Sequence, residues 1–440
     1  MMKKLILGAA AIVLAGGIVA CGPTSEPTET PTDPTVSAPT TTDDGKPDVQ
    51  LKVWGPAEEE EIYAWAFETY NANPNRKYDA SYVFESVGED KADTELAKNV
   101  QEGATLYFYA DDKAVNLMNN NAISYLSGKN ATFVEDNFGE LAIDSATFSG
   151  EIIGYPVQND NMWFANYDSQ YLTAEEASSL ETVLAKAEEL GKKVQLPIDT
   201  GWYVIPSFFS MIDLYWTLDG TGTGRFTTTL DSEESVASAA YLNNLFATYM
   251  KKGILTIGQG LGGETNSIYT WNGAWEYGKY AENIGAENLV LTTTPTYKVG
   301  DTTHQCVSFL GSKLLSVNGS HSAEKVELGH EIAQILVGKE GSLKRYEVRN
   351  SIPANTEALA DTRYADNKKP TVLAIEAQSQ LDNFNQAKTV QGGDIWGIMG
   401  DALGKGLAGT SNANDETTGL INDWAAYLKE QAERIRGLTF

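Results

Sequence analysis

The sequence predicts an α/β protein of two lobes, and three observations carry that expectation. A chain of 440 residues with 42% hydrophobic content is longer than one core usually fills, because beyond roughly 250–300 residues a single core splits. Strand-like and helix-like segments alternate along it, which favours sheets of parallel or mixed strands. No fixed-period internal repeat is found, which argues against a solenoid.

The elements follow in order. VQLKVWG alternates Val49, Leu51 and Val53 with polar residues, a strand pattern. In the next segment, PAEEEEIYAWAFETYN, Pro56 stands near a first helical position and Glu58 to Glu61 occupy the first turns, where carboxylates suit the helix dipole. Trp65 falls in the Ile62 to Phe67 stripe and reads as a core anchor. Ser178 and Glu181 form a capping box ahead of Leu180, Val183, Leu184, Ala187 and Leu190, and Gly191 marks the helix stop. TLYFYA, EIIGYPV, KKVQLPI, NLVLTTTP and SKLLSVN read as strands, and Val236 to Met250, Ala323 to Val337 and Trp424 to Ile435 as helices.

The N-terminus reads as a targeting segment. MMKK is a positive n-region, LILGAAAIVLAGGIV is an apolar region shorter than the ~20 residues needed to span a bilayer, and Ala20 precedes Cys21. Ile18-Val19-Ala20-Cys21 resembles a bacterial lipobox, which implies cleavage before Cys21 and lipid attachment to it. Residues 21–47, rich in Thr, Pro and acidic side chains, cannot bury enough apolar surface to offset their ordering entropy and are expected to form a disordered tether. Lipid, tether and globular body describe a protein held at the outer face of a membrane.

A formal net charge of -28 argues against nucleic-acid partners, since phosphate recognition needs clustered Lys and Arg. Cys21 and Cys306 are the two cysteines, so no intramolecular disulfide framework is expected, and Cys306 reads as a small buried residue. The histidines, His304, His321 and His330, lack metal-ligand spacing, and neither a metal nor a cofactor is expected. No G-x-S-x-G elbow, Walker loop or dinucleotide fingerprint occurs. GQGLGGET, residues 258–265, reads as a turn.

Flat aromatic surface is abundant instead. Many Trp and Tyr residues sit beside Gly, Asn or Pro and not within apolar runs, as in GWYVIP, TWNGAWEYGKY and GGDIWGIMG. An indole offers an apolar face with a polar edge, which matches a pyranose whose CH face packs on the ring while its hydroxyls seek polar side chains. Trp275 and Trp396, flanked by small residues near helix starts, are candidates for such stacking, whereas Trp271 is expected to end a strand and pack inward.

The ordered series LKVWG, TLYFYADDKAVNLMNNNAISYLSG, FSGEIIGYPVQNDNMWFANYDSQYL, YTWNGAWEYGKY, TTTPTY, SFLGSKLLSVNGSHSAEKVELGHEIAQILVGKEG and SIPANTEAL resembles the maltose and maltodextrin-type extracellular solute-binding proteins of ABC importers. The resemblance runs from about Asp48 to the C-terminus. It implies a two-lobed periplasmic-binding-protein fold with a hinge, each lobe discontinuous in sequence, that closes on an oligosaccharide. Residues 1–20 would be the signal peptide, 48–158 plus 296–350 the N-terminal lobe, and 162–294 plus 355–440 the C-terminal lobe. Crossings are expected near Asn159 to Met162, Thr294 to Thr296 and Ser351 to Asn355.

Carried over residue by residue, the resemblance implies ligand contacts from Tyr109, Asp112 and Lys113 on one lobe, and from Trp202, Tyr203, Trp275, Tyr277 and Trp396 on the other. Lys113 stands where Arg or a neutral residue is commoner. Asp160 corresponds to the family carboxylate, with Asn159 as a competing match. Glu58 and Glu59 fall in the first loop, where polar side chains meet sugar hydroxyls; complementation of the helix dipole explains them equally well. The implied partners are an oligosaccharide and an ABC permease, bound by a lipid-anchored monomer without a chemical step. Two other readings stay open on the residues: a secreted glycoside hydrolase, which would also need aromatic platforms and two carboxylates, and a protein of the same fold for another solute such as a polyamine.

Overall fold

The structure is a computed structural model that describes residues 35–36, 45–148, 150–208, 214–218, 224–381, 384–385, 406–407, 421 and 423–437. Cys21 and Trp396 lie outside the described residues.

The first lobe is built on a mixed sheet. Asp48–Gly55 lies between Asp79–Ser86 and Leu106–Ala110, parallel to both. Phe309–Val317 then pairs antiparallel with Leu106–Ala110 on one side and with Tyr155–Asn161 on the other. Both faces are covered, which is why Leu106–Ala110 reads as a continuous apolar run. Leu51, Val53, Phe108 and Leu315 face the helices Glu59–Ala72 and Ala323–Val337, with Trp65 packed partly buried against this core. Trp54, Tyr107, Tyr109 and Leu314 face the other way, towards Leu96 and Leu117. Thr35–Val36, within the segment expected to be a tether, pairs antiparallel with Phe84 and Val83 on the outer strand. The expectation of disorder across 21–47 is corrected there, because a sheet edge offers unpaired backbone groups to any β-prone segment within reach.

In the second lobe Phe164–Asp168 is the centre of a three-stranded antiparallel sheet, with Tyr269–Asn272 and Leu289–Thr292 at its sides. Val194–Leu196 pairs parallel with Leu255–Ile257, and a bridge from Lys193 to Ser267 joins this pair to the sheet. The helix Leu180–Leu190 ends on left-handed Gly191, as its sequence implies, and its N-cap is Ser179, whose hydroxyl accepts the N–H of Thr182. The expected capping box from Ser178 and Glu181 therefore does not form: the cap lies one residue later, and the residue three positions after it is Thr182. Glu181 turns instead to Tyr241, whose hydroxyl donates to it at 2.7 Å, and to the N–H of Lys298 at 2.8 Å. Cys306 is a buried free thiol.

The chain passes between the lobes several times. It leaves the first sheet at Asn161 and joins the second at Phe164. The hairpin Thr296–Val299 with Thr302–Gln305 was expected in the first lobe, but Tyr297 is buried in the second-lobe core, its hydroxyl donating to Ser238 at 3.2 Å. The expected return at 294–296 is therefore corrected to the start of the strand Phe309–Val317, whose Phe309 still packs in the second-lobe core while Lys313 pairs with Ala110 of the first sheet. The segment 351–355 lies beside the first crossing, with Pro353 bridged to Gln158 and the N–H of Ala354 bonded to Val157. The second lobe was expected to resume at 355, yet Ala358 and Tyr364 pack on Leu343 and Tyr346 of the first lobe. The helix Pro370–Ser379 reaches across, setting Ala374 and Ile375 against Met162 and Phe164, and the helix Trp424–Arg436 packs Trp424, Leu428 and Ile435 into the second-lobe core, within the range expected for that lobe.

Candidate functional site

On the first lobe, strand ends and loops gather a chain of charged side chains. Glu59, at the first position of its helix, is fully buried, and Arg345 forks onto it with Nε to Oε1 at 2.9 Å and Nη2 to Oε2 at 3.1 Å. Arg349 bridges Glu59 and Glu89, donating to each at 2.8 Å. Lys313 completes the chain, with Nζ at 3.1 Å from Glu89. Burial pushes the Glu59 carboxyl up, but Arg345 and Arg349 more than reverse this and hold it below its usual range. Burial likewise raises Glu89, and Arg349 with Lys313 outweigh it and bring the carboxyl down to about 2. Both glutamates are therefore ionised and committed to cations.

Next to this chain, the turn Asp111–Lys113 follows the strand Leu106–Ala110, whose Ala110 is paired with Lys313. Asp112 is buried and bonds Lys113 at 2.9 Å. Burial works against the Lys113 charge, but Asp112, Asp93 and Asp90 together raise its pKa.

On the second lobe, aromatic rings form a connected series. Trp271 and Trp163 are fully buried and stacked, with centroids 5.3 Å apart. Tyr203 packs on Trp163 at 5.2 Å, Trp202 meets Tyr203 edge-on at 5.0 Å, and Trp275 lies 6.0 Å from Trp202 at a 40° tilt. Exposure grows along the series, and Trp275 is 43% exposed. Its position depends on the turn after Tyr269–Asn272. Asn272 Oδ1 accepts the N–H of Gly273 at 2.9 Å and the hydroxyl of Tyr203 at 3.4 Å, and Asn272 Nδ2 donates to Tyr280 at 3.0 Å. A Cβ on Gly273 would lie 2.0 Å from Cζ3 of Trp275, so only glycine lets the indole fold down on this turn.

The two walls meet at Lys313 and Trp275, where the ammonium lies over the indole, 5.9 Å from its centroid. Near the crossing strands, Asn159 Oδ1 accepts the hydroxyl of Ser312 at 3.0 Å. Asp160 is buried, accepts Gln158 Nε2 at 2.5 Å and the backbone N–H of Ile352 at 2.9 Å, and its carboxyl is raised, chiefly by burial.

Several expected site residues are corrected by this geometry. Tyr109 is fully buried on the face away from the Phe108 core, and its hydroxyl accepts from Ser316 at 3.2 Å, because strand alternation turns it opposite to its neighbour. Glu59 is an internal counter-ion, with no free face for a ligand, while Glu58 beside it is exposed. Asp160 is bonded at the crossing between the lobes. Tyr203 is buried under Trp202 with its hydroxyl on Asn272, so it supports the platform. Tyr277 packs, partly buried, against Leu261, Tyr280 and Leu289. Trp202, Trp275, Asp112, Lys113 and Glu58 remain candidates.

Glu89, Lys313 and Arg349 were missed. Lys313 carried a signal: it is a charge inside the otherwise apolar or small run of the strand Phe309–Val317, and a buried lysine needs a partner. His330, which lacks metal-ligand spacing in the sequence, is buried between Ser124 at 3.1 Å and Tyr155 at 3.0 Å, and burial lowers its pKa to about 4.

Solved structures share this architecture, which is the two-lobed periplasmic-binding-protein fold. A chain solved with acarbose superposes with a TM-score of 0.71 at 24% identity, covering 88% of this chain and 99% of that one. The maltodextrin binding protein MalE1 from L. casei BL23 gives 0.70 at 17% identity, covering 89% and 100%. The GacH receptor of Streptomyces glaucescens, studied with acarbose, gives 0.67 at 15% identity, covering 88% and 98%. No protein-family profile matches the chain, and no curated protein matches it. At these identities the likeness establishes the fold. Among the described residues, no helix is long and apolar enough to cross a membrane.

Proposed function

We propose that the protein is an extracytoplasmic receptor that binds an oligosaccharide, maltodextrin-like in class, between its lobes and delivers it to an ABC permease, with Cys21 carrying a lipid anchor. The observation that carries this reading is the tilted pair of Trp202 and Trp275, reaching from a buried aromatic stack towards a polar wall on the other lobe. Indole faces supply a platform for the CH side of a sugar, and Asp112, Lys113 and Glu58 supply hydrogen-bonding groups around it. The solved structures of the same fold, described as maltodextrin binding or solved with acarbose, support the ligand class.

Binding proceeds by population shift and lobe closure, without a chemical step. A hydrolase needs a carboxylic acid held protonated beside the scissile bond. Here Glu59 and Glu89 are held ionised by arginines, and Asp160 is enclosed by Gln158 and Ile352. Calorimetric titration of the purified protein with maltotriose, a cello-oligosaccharide and spermidine tests the reading. Binding of one sugar, with a change in tryptophan emission and no product on chromatography, is expected. Trp275→Ala should weaken that binding at least about tenfold while leaving the melting temperature near wild type, since the ring is exposed. Product formation or spermidine binding in place of sugar binding would overturn the proposal.

A further inference from the structure

We propose that Lys313 competes with the ligand ring for the face of Trp275, and so sets how tightly the cleft holds a sugar. The inference rests on the reading of Trp275 as a stacking platform.

The geometry is specific. Trp275 belongs to the second lobe and Lys313 to the central strand of the first, and the ammonium lies over the indole, 5.9 Å from its centroid. The six-membered ring rests against Gly273 and its neighbour Trp202 is tilted at 6.0 Å, so the space towards the first lobe is what remains for a ligand. Lys313 faces that space. A pyranose in van der Waals contact with an indole lies roughly 4 Å above it, which places its far side against an ammonium at the observed 5.9 Å. Both cannot occupy the same face.

Lys313 is also held in position. Its side chain is only 9% exposed, and its partner Glu89 is fixed by Arg349, which is fixed by Glu59, which is forked by Arg345. This charge chain anchors the ammonium at the cleft as an ordinary surface lysine is not anchored. Its long stem still allows the head group to swing while bonded to Glu89. An arriving sugar therefore exchanges a cation–π contact for CH–π stacking, and the affinity reports the difference between the two. A cation over an aromatic ring is a contact of intermediate strength. The competition is accordingly large enough to measure and small enough for a sugar to win.

The test compares wild type with Lys313→Met and Lys313→Arg. Before any sugar is added, Lys313→Met should shift tryptophan emission and increase the radius of gyration in small-angle scattering, because the contact joining the walls is gone. Lys313→Arg, which keeps a cation over the ring, should resemble wild type in both. Maltotriose should then bind Lys313→Met roughly three- to tenfold more tightly than wild type. Unchanged or weaker binding by Lys313→Met, or an equal gain in Lys313→Arg, overturns the competition. If no variant binds any sugar, the receptor reading fails separately, and emission and scattering still decide the contact: no difference between wild type and Lys313→Met removes it. Melting temperatures of both variants identify any that have simply misfolded, and Lys313→Arg then carries the comparison.

Discussion

The carboxylate of Asp160 accepts the backbone N–H of Ile352 at 2.9 Å, joining segments 192 positions apart in the sequence where the chain passes between its lobes. Its other oxygen accepts from Gln158. Both partners are donors, so the site needs two acceptors. Asp160→Asn supplies one acceptor and turns an NH2 towards a donor. Burial already raises the Asp160 carboxyl, so loss of charge is cheap and the cost is the mismatch. We expect a loss of about 1–3 kcal/mol, read from the urea midpoint at pH 7.

Gly273→Ala separates platform geometry from stability. The backbone there has φ -87° and ψ -174°, which alanine adopts without strain, but the added Cβ would collide with the Trp275 ring. Because that ring is exposed, it can swing away at little cost to the fold. Denaturation should change by less than about 1 kcal/mol, while calorimetry should show sugar affinity falling about as far as in Trp275→Ala.

Adjacent glutamates should behave in opposite ways. Glu58→Ala removes an exposed side chain with no cap bond and should shift stability by no more than about 0.5 kcal/mol. Glu59→Gln leaves Arg345 and Arg349 buried beside a neutral amide, and removing one partner of such a network costs about 3–5 kcal/mol. Parallel thermal melts of the two variants check this.

Acidification should destabilise the protein in two windows. His330 is lowered from 6.5 to about 4, so the unfolded chain binds its proton first and stability falls as pH drops from 6.5 towards 4. Glu89, lowered from 4.5 to about 2, contributes stability above 4.5 that is lost as pH falls towards 2, and Glu59 acts in the same direction. The His330 and Glu89 shifts each correspond to roughly 3 kcal/mol once complete. Urea midpoints at pH 7, 5 and 3 should fall stepwise, and His330→Asn should flatten the first step.

Much of the fold was legible because its signals are local. The helix Ala323–Val337 has the bounds its periodicity implied, and Gly191 ends its helix where a left-handed residue was needed. The inward face of Trp271 follows from strand position. The candidate site was less legible because its determinants are distant. Glu58 and Glu59 differ only in that an arginine 286 positions away reaches one of them. Leu106–Ala110 carries aromatics on both faces, so alternation alone did not say that Tyr109 points into a core. The hairpin Thr296–Gln305 was placed in the first lobe by the family resemblance, whereas the burial of Tyr297 decides where it packs.

The strand Phe309–Val317 also governs the order of assembly. Its Ser316 hydroxyl donates to Tyr109 and to the carbonyl of Ile153, 207 and 163 positions earlier. The first sheet therefore cannot close until nearly the whole second lobe has been synthesised, and Leu106–Ala110 waits as an open edge. Pairings of such sequence separation form slowly. The nascent first lobe is thus the segment of this chain most dependent on holding factors, and a lesion confined to the second lobe would delay the completion of both.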